Sequence, residues 1–151
     1  MQVPARVDYA VRAMLELAAA HPERIRRDEL AARQGLPTRY LEAIMRDLAQ
    51  HRLVVGRRGV TGGYELTRAP GEITVGDVAR AVDGPLALVV QQRPEAMSYH
   101  GSSRHLAQRW VALRAAMRSV MDHVTLADLV AGELAPEVRT LLDDEAAWRA
   151  R

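Results

Sequence analysis

Pro37-Thr38-Arg39-Tyr40-Leu41-Glu42-Ala43-Ile44-Met45-Arg46-Asp47-Leu48-Ala49-Gln50-His51 is the stretch on which the fold turns. Proline suits the first turn of a helix, where no N–H is needed, and Leu41, Ile44, Met45 and Leu48 then recur at the spacing of one buried face. The opposite face carries Arg39, Glu42, Ala43, Arg46 and Gln50. Just upstream, Arg27 to Gln34 reads as a shorter helix with Leu30 and Ala31 inward, Gly35 supplying the turn after it, and Arg26 as a poor N-cap. Two helices joined by a short glycine-containing turn have the form of a helix-turn-helix.

Downstream, Leu53-Val54-Val55 and Tyr64-Glu65-Leu66-Thr67 are β-prone runs separated by Gly56-Arg57-Arg58-Gly59-Val60-Thr61-Gly62-Gly63. Glycines at 56, 59, 62 and 63 are expected to supply the positive backbone angles of a hairpin, so a β-wing follows the third helix. Before the pair of helices, Val7, Ala10, Val11, Met14, Leu17 and Ala18 mark an amphipathic helix that stops near His21-Pro22. After the wing, Thr74 with Asp77 three residues on starts a helix that buries Val75, Val78, Ala79 and Val82 and ends at Gly84-Pro85. Residues 86–102 have no clean period. From about Ser103 to Val124, Leu106, Trp110, Leu113, Met117, Val120 and Val124 form a heptad seam, the mark of a partner-helix surface. The competing reading packs that seam on the N-terminal domain. A last short helix runs from Leu126 to Gly132, and residues from Pro136 on read as a polar tail.

The expected fold class is mainly α with a small β-wing: a winged helix-turn-helix plus a long dimerisation helix. Its parts are a head over 1–84, a loop over 85–102, the dimerisation helix with its short follower over 103–134, and a polar tail over 135–151.

A chain of 151 residues is one domain, or one small domain with a dimerisation appendage. It contains no run of roughly 18 to 20 apolar residues, and its start lacks a signal peptide's layout, so a cytoplasmic protein is expected. Cysteine is absent, which excludes disulfides, thiolate zinc and cysteine-ligated clusters. All 21 cationic side chains are arginine, a bias that resembles a GC-rich genome. Residues 1–70 hold 12 arginines against 8 acids and residues 71–151 hold 9 against 11, so the N-terminal part is the one suited to a polyanion.

A helix that reads bases needs long polar side chains near its N-terminus on the exposed face, as Thr38, Arg39, Glu42 and Arg46 provide. Arginine grips guanine in a bidentate contact, and glutamate accepts from cytosine N4, so Glu42 is the candidate for discrimination rather than affinity. The bland alternative is a solvated face with a weak ion pair. Arg57 and Arg58 at the expected wing tip shift the balance, since paired cations on a glycine-rich loop suit a minor groove or phosphates. Gly59 to Gly63 is a poor phosphate-cradling loop, with no lysine and no helix after it. No nucleophile, base and acid share a signature, so an enzyme is not expected. His100 and His105 are five apart and do not stack on one helical face, with only Glu95 near as a third ligand, so no metal site is assigned.

Pro37 to Glu42, Arg57 to Leu66 and Ile73-Thr74-Val75-Gly76-Asp77-Val78 together resemble the Rrf2 family of transcription regulators, the IscR, NsrR and CymR group. Asp8 to Leu15 and Ala81-Val82-Asp83-Gly84 also look like it. The resemblance implies a homodimer, probing double-stranded DNA with two winged heads on a crossed pair of long helices and acting as a repressor at imperfect promoter palindromes. On that basis the expected DNA-binding set is Thr38, Arg39, Tyr40, Glu42, Arg46, Arg57, Arg58 and Gly59. Proline at 37 stands where the family often has a hydroxyl, and Arg39 replaces a smaller side chain, which implies a different operator. Many members hold an iron-sulfur cluster on three cysteines before the long helix, whereas the matching segment here, Val90 to His105, has none. The chain therefore looks like the cluster-free members that answer to a small molecule or a partner protein. Met97, Tyr99, His100 and Trp110 are candidates for an effector pocket, with packing as the competing role for Met97 and Trp110. The rival function is a protein-protein module that controls a partner through the long helix.

Overall fold

The computed structural model describes residues 2–59 and 61–149. Met1, Val60 of the expected hairpin connection, and residues 150 and 151 of the expected tail lie outside them.

Helix α1 spans Ala5–Ala20, α2 Arg27–Gln34 and α3 Thr38–Gln50. Arg26 indeed offers no side-chain cap to α2, whose first turn instead holds Asp28 and Glu29 against the positive end of the helix. Gly35 closes α2 with φ +61, and the Leu36 N–H reaches back to the Ala31 carbonyl at 2.9 Å, a left-handed stop that aims the chain into α3. The apolar face of α3 is buried as its spacing requires: Leu41, Ile44, Met45 and Leu48 are each no more than 1% exposed. They meet Met14 and Leu17 of α1 and Leu30 of α2 in one core.

The wing is a two-stranded antiparallel sheet, β1 Val54–Arg57 and β2 Gly63–Leu66, with Val54 opposite Leu66 and Arg57 opposite Gly63. Strand β1 therefore runs further than expected, taking Gly56 and Arg57 into the ladder. Nor do the four glycines share one role. Gly59 has φ +105, but Gly62 is needed because a Cβ there would lie 2.5 Å from the Arg57 carbonyl oxygen. Gly56 faces the Tyr64 ring, 3.0 Å from where its Cβ would be. A further pairing was not foreseen: Ile25 exchanges both backbone bonds with Tyr64 (3.0 and 2.9 Å), stitching the lead-in to α2 onto the wing.

Helix α4, Val75–Asp83, opens with a reciprocal cap in which the Asp77 N–H donates to Thr74 Oγ1 (3.0 Å) and the Thr74 N–H donates to Asp77 (3.1 Å). Val78, Ala79 and Val82 are buried, while Val75 is only half-buried, its place in the core face taken by Gly76 and Ala81. The long helix α5 is Leu106–Met121, shorter than the expected 103–124. Val124 lies past its end, buried, with its carbonyl accepting from the Val75 N–H at 2.9 Å. Helix α6, Leu126–Ala131, carries the same cap as α4 through Thr125 and Asp128 (3.1 and 2.8 Å). Although grouped with the dimerisation segment in the sequence reading, its Leu126 is fully buried in the head's core. The expected tail is partly helical, because Pro136 starts α7, Pro136–Leu142, and Val138 is buried. No helix among the described residues is long and apolar enough to cross a membrane.

Candidate nucleic-acid interface

Helix α3 is held on its inner side and ends by α1 and left open on the other. Arg6 of α1 pairs with Asp47 of α3. Arg12 of α1 donates to the Gln34 side chain at 3.1 Å and to its backbone carbonyl, fixing the end of α2 just before the turn. Glu16 accepts from Arg33 (3.2 Å) and Gln34 (2.5 Å). Salt bridges of this exposure add little stability one by one, but they fix where the turn sits relative to α1.

Thr38, Arg39, Tyr40, Glu42 and Arg46 all lie on the exposed side of α3. Tyr40, 42% exposed, is set edge-on against Tyr9 with ring centroids 5.6 Å apart, and Arg12 sits over the Tyr9 ring at the same distance. Its ring is thus anchored on α1 while one edge remains open. Glu42 is paired with Arg27 at the start of α2, and Arg27 also holds Asp28 at 3.1 Å. Among the described residues, Arg39, Arg46 and Arg58 have no ion-pair partner.

The wing brings a second set of cations. Arg57, on the strand rather than in the turn, lies 3.7 Å from Glu65, which also accepts from Arg24 at 2.7 Å. The Arg24 guanidinium, with Arg57 beside it, holds the Glu65 carboxyl below the usual carboxylate range. Between the wing and the start of α2 runs a groove of about 360 Å³ lined by Arg26, Arg27, Arg57 and Arg58, with Gly59 at its edge. Arg27 therefore touches both Glu42 and this groove, whose wall also includes Asp28, so the open face of α3 and the arginines of the wing are joined through a guanidinium that holds two carboxylates. Arg26 and Arg27 were missed in the sequence because the first reads only as a poor N-cap and the second only as the start of a short helix. Their adjacency to Ile25, which joins the wing, is what gives them the site.

The seam of α5 is half-buried at Leu106, Trp110, Leu113, Met117 and Val120, and no residue of α5 is buried. The Trp110 indole N–H is enclosed without a hydrogen-bond acceptor among the described residues. Trp110 and Leu113 border an apolar groove of about 350 Å³ whose other walls are Ala87, Leu88, Val89 and Val90. Met97, Tyr99 and His100, expected beside Trp110, are not among its walls.

Comparison with known proteins follows the same outline. Residues 3–132 match the Rrf2 family, described as iron-dependent transcriptional regulators. A Mycobacterium tuberculosis protein assigned as an HTH-type transcriptional regulator is 46% identical over 145 residues, covering 95% of this chain and 90% of its own length. The HTH-type transcriptional regulator CymR of Bacillus subtilis is 33% identical over 130 residues, covering 85% of this chain and 89% of its own. Among solved structures, that of CymR, the global cysteine regulator of B. subtilis, aligns with a TM-score of 0.73 at 30% identity, over 87% of this chain and 97% of that one. T. potens IscR aligns with a TM-score of 0.68 at 30% identity, over all of this chain and 93% of the other.

The family's description implies iron, and the donors present do not fit it. The segment before α5 offers no thiolate. Its Glu95 is engaged by Arg114 at 2.6 Å, and among the described residues no three His, Cys, Asp or Glu side chains are grouped to hold a metal ion.

Proposed function

We propose that this chain, a member of the Rrf2 family of winged helix-turn-helix transcription regulators, binds DNA as a homodimeric repressor of promoter palindromes. The observation that carries the reading is the nearness of two arginine-bearing parts, the open face of α3 and the wing groove, which meet at Arg27. On this reading α3 enters the major groove with Thr38, Arg39 and Arg46 toward base edges and phosphates, and Tyr40 keeps the helix end in place from α1. Arg58, with Gly59 letting the wing approach closely, and Arg26, Arg27 and Arg57 along the groove neutralise backbone phosphates. Glu42 acts as a gate. Where a cytosine amino group is offered it leaves Arg27 for the base, and where none is offered it remains a charge that phosphate avoids.

The half-exposed seam of α5, Leu106, Trp110, Leu113, Met117 and Val120, is the surface through which two copies pair, while Val124 serves the head instead. Such a dimer spaces its heads for two half-sites about one helical turn or more apart. It works where promoter DNA is, in the cytoplasm. The released state depends on something other than a cysteine-held cluster, for which the chain lacks ligands.

A protection experiment on the DNA upstream of its own gene, at physiological salt, tests this. A single protected site with internal two-fold symmetry is expected. Uniform weak protection, competed equally by random DNA, would remove the proposal.

A further inference from the structure

We infer that the cleft between the head and α5 binds a small anion carrying two acidic groups, carboxylate or phosphate at each end. The cleft has a volume of about 570 Å³, within the range of small-molecule sites. Four parts of the chain wall it: His51 at the end of α3, Arg80 from α4, Arg93 from the loop, and Arg114 and Arg118 from α5. Against four guanidinium groups the wall sets one carboxylate, Glu95.

The four cations are not equally free. Arg80 is held by Asp77 (3.0 Å) and Asp122 (2.7 Å), and Arg114 by Glu95 (2.6 Å). Arg93 and Arg118 are exposed and form no ion pair among the described residues. Arg114 and Arg118 are also four apart on α5, neighbours on one helix face, and Glu95 compensates only the first of them. A planar guanidinium takes a carboxylate or phosphate through two parallel hydrogen bonds, so two free arginines match a ligand acidic at both ends. Leu86 and Pro85 close one side with an apolar wall for a short carbon chain. None of these residues lines the groove of Arg26, Arg27, Arg57 and Arg58, so the two basic regions have separate walls.

The consequence rests on the regulator reading. An anion gripped by Arg93 and Arg118 ties the loop to α5 beside α4, and so sets the angle at which α5 leaves the head. In a dimer that angle fixes the distance between the two reading helices, which couples ligand to operator.

Calorimetric titration of the full chain with citrate and, separately, with pyrophosphate, at ionic strength matched by chloride, is the test. Saturable binding of at least one is expected, and which one binds identifies the acidic group. It should survive in Arg39→Ala/Arg58→Ala and weaken roughly tenfold or more in Arg93→Gln/Arg118→Gln. If the double variant fails to fold, Arg118→Gln alone should show the weakening. Absence of saturable binding by both anions, equal binding in the Arg93/Arg118 variant, or loss in the Arg39/Arg58 variant overturns the site. Neither titration needs DNA, so a chain that binds anion but protects no promoter refutes the regulator reading and leaves the cleft standing.

Discussion

The head and the long helix both carry apolar side chains at helical spacing but meet water differently. Helix α3, with 13 residues, puts four side chains into the core, whereas α5, with 16, buries none. The loop before α5 adds to the contrast. Ala87, Val90 and Gln91 have φ of +54, +49 and +62, uncommon for side chains that are not glycine, and Val90 is 81% exposed. A long amphipathic helix thus lies half-wet beside an apolar loop with positive φ angles, which the proposed pairing of two copies would cover. The core of the head is closed, and the seam of α5 is the apolar surface left half-exposed.

The sharpest way to break that contrast is a matched pair of truncations. Leu48→Ala, at a position with no exposure, should cost about 2 to 5 kcal/mol in urea denaturation. Met117→Ala, on the seam, should leave the head folded but lower the dimer fraction in sedimentation. Equal losses of head stability would show that α5 is core.

A smaller effect probes the joint between the two regions. A Cβ on Gly76 would fall 1.9 Å from Asp122 Oδ1, where the end of α5 leans on α4. Gly76→Ala should therefore pull Asp122 from Arg80 and destabilise by about 1 to 3 kcal/mol by thermal melting, with the largest change in the α5 region on hydrogen exchange. No change would mean that Asp122 moves aside freely.

Within the reading face, Arg58→Ala should weaken binding to every sequence and lower the salt slope by about 1, while Glu42→Ala should relax base preference by about 1 to 3 kcal/mol. Because Glu42 neutralises Arg27, its removal should also raise affinity for random DNA, a sign that a plain solvated ion pair would not give. Competition titrations separate these outcomes.

The smallest effect is acid sensitivity of the wing and the helix caps. The Glu65 carboxyl is held down by Arg24 and Arg57, and Asp128 by the Thr125 hydroxyl and N–H. For Asp77 burial works the other way, but the Thr74 bonds and Arg80 outweigh it and the carboxyl is again lowered. Lowered values in the folded chain mean stability that is present above the ordinary carboxylate range and is lost as pH falls below it. Melting temperature should be level near neutral pH and decline on acidification, and Glu65→Gln should flatten part of that decline.

The contrast also marks what could be read in the residues. The apolar period of 37–51 located α3 and its open face because that helix is decided by local spacing and one dominant core. Arg39, Glu42 and Arg46 followed from it, and Arg58 from the glycine-rich connection between the two β-prone runs. Arg26 and Arg27 did not, since their place depends on Ile25 pairing with Tyr64, 39 positions away in sequence. The end of α5 was misjudged for a related reason: Val124 keeps the heptad spacing, but Val75 claims its carbonyl and turns the chain back to the head. Likewise the polar composition after Pro136 concealed a helix whose single buried side chain, Val138, is too little to make a period. The arginine cleft joins residues from 80 to 118 that no local pattern connects.

The central claim, one basic reading surface presented twice by a dimer, is tested most directly by titrating the protected upstream duplex at several salt concentrations and counting protein chains per duplex. The account predicts two chains per site, a steep fall of affinity with salt, and random DNA at least about a thousandfold weaker. One chain per site, with operator and random DNA bound alike, would contradict it.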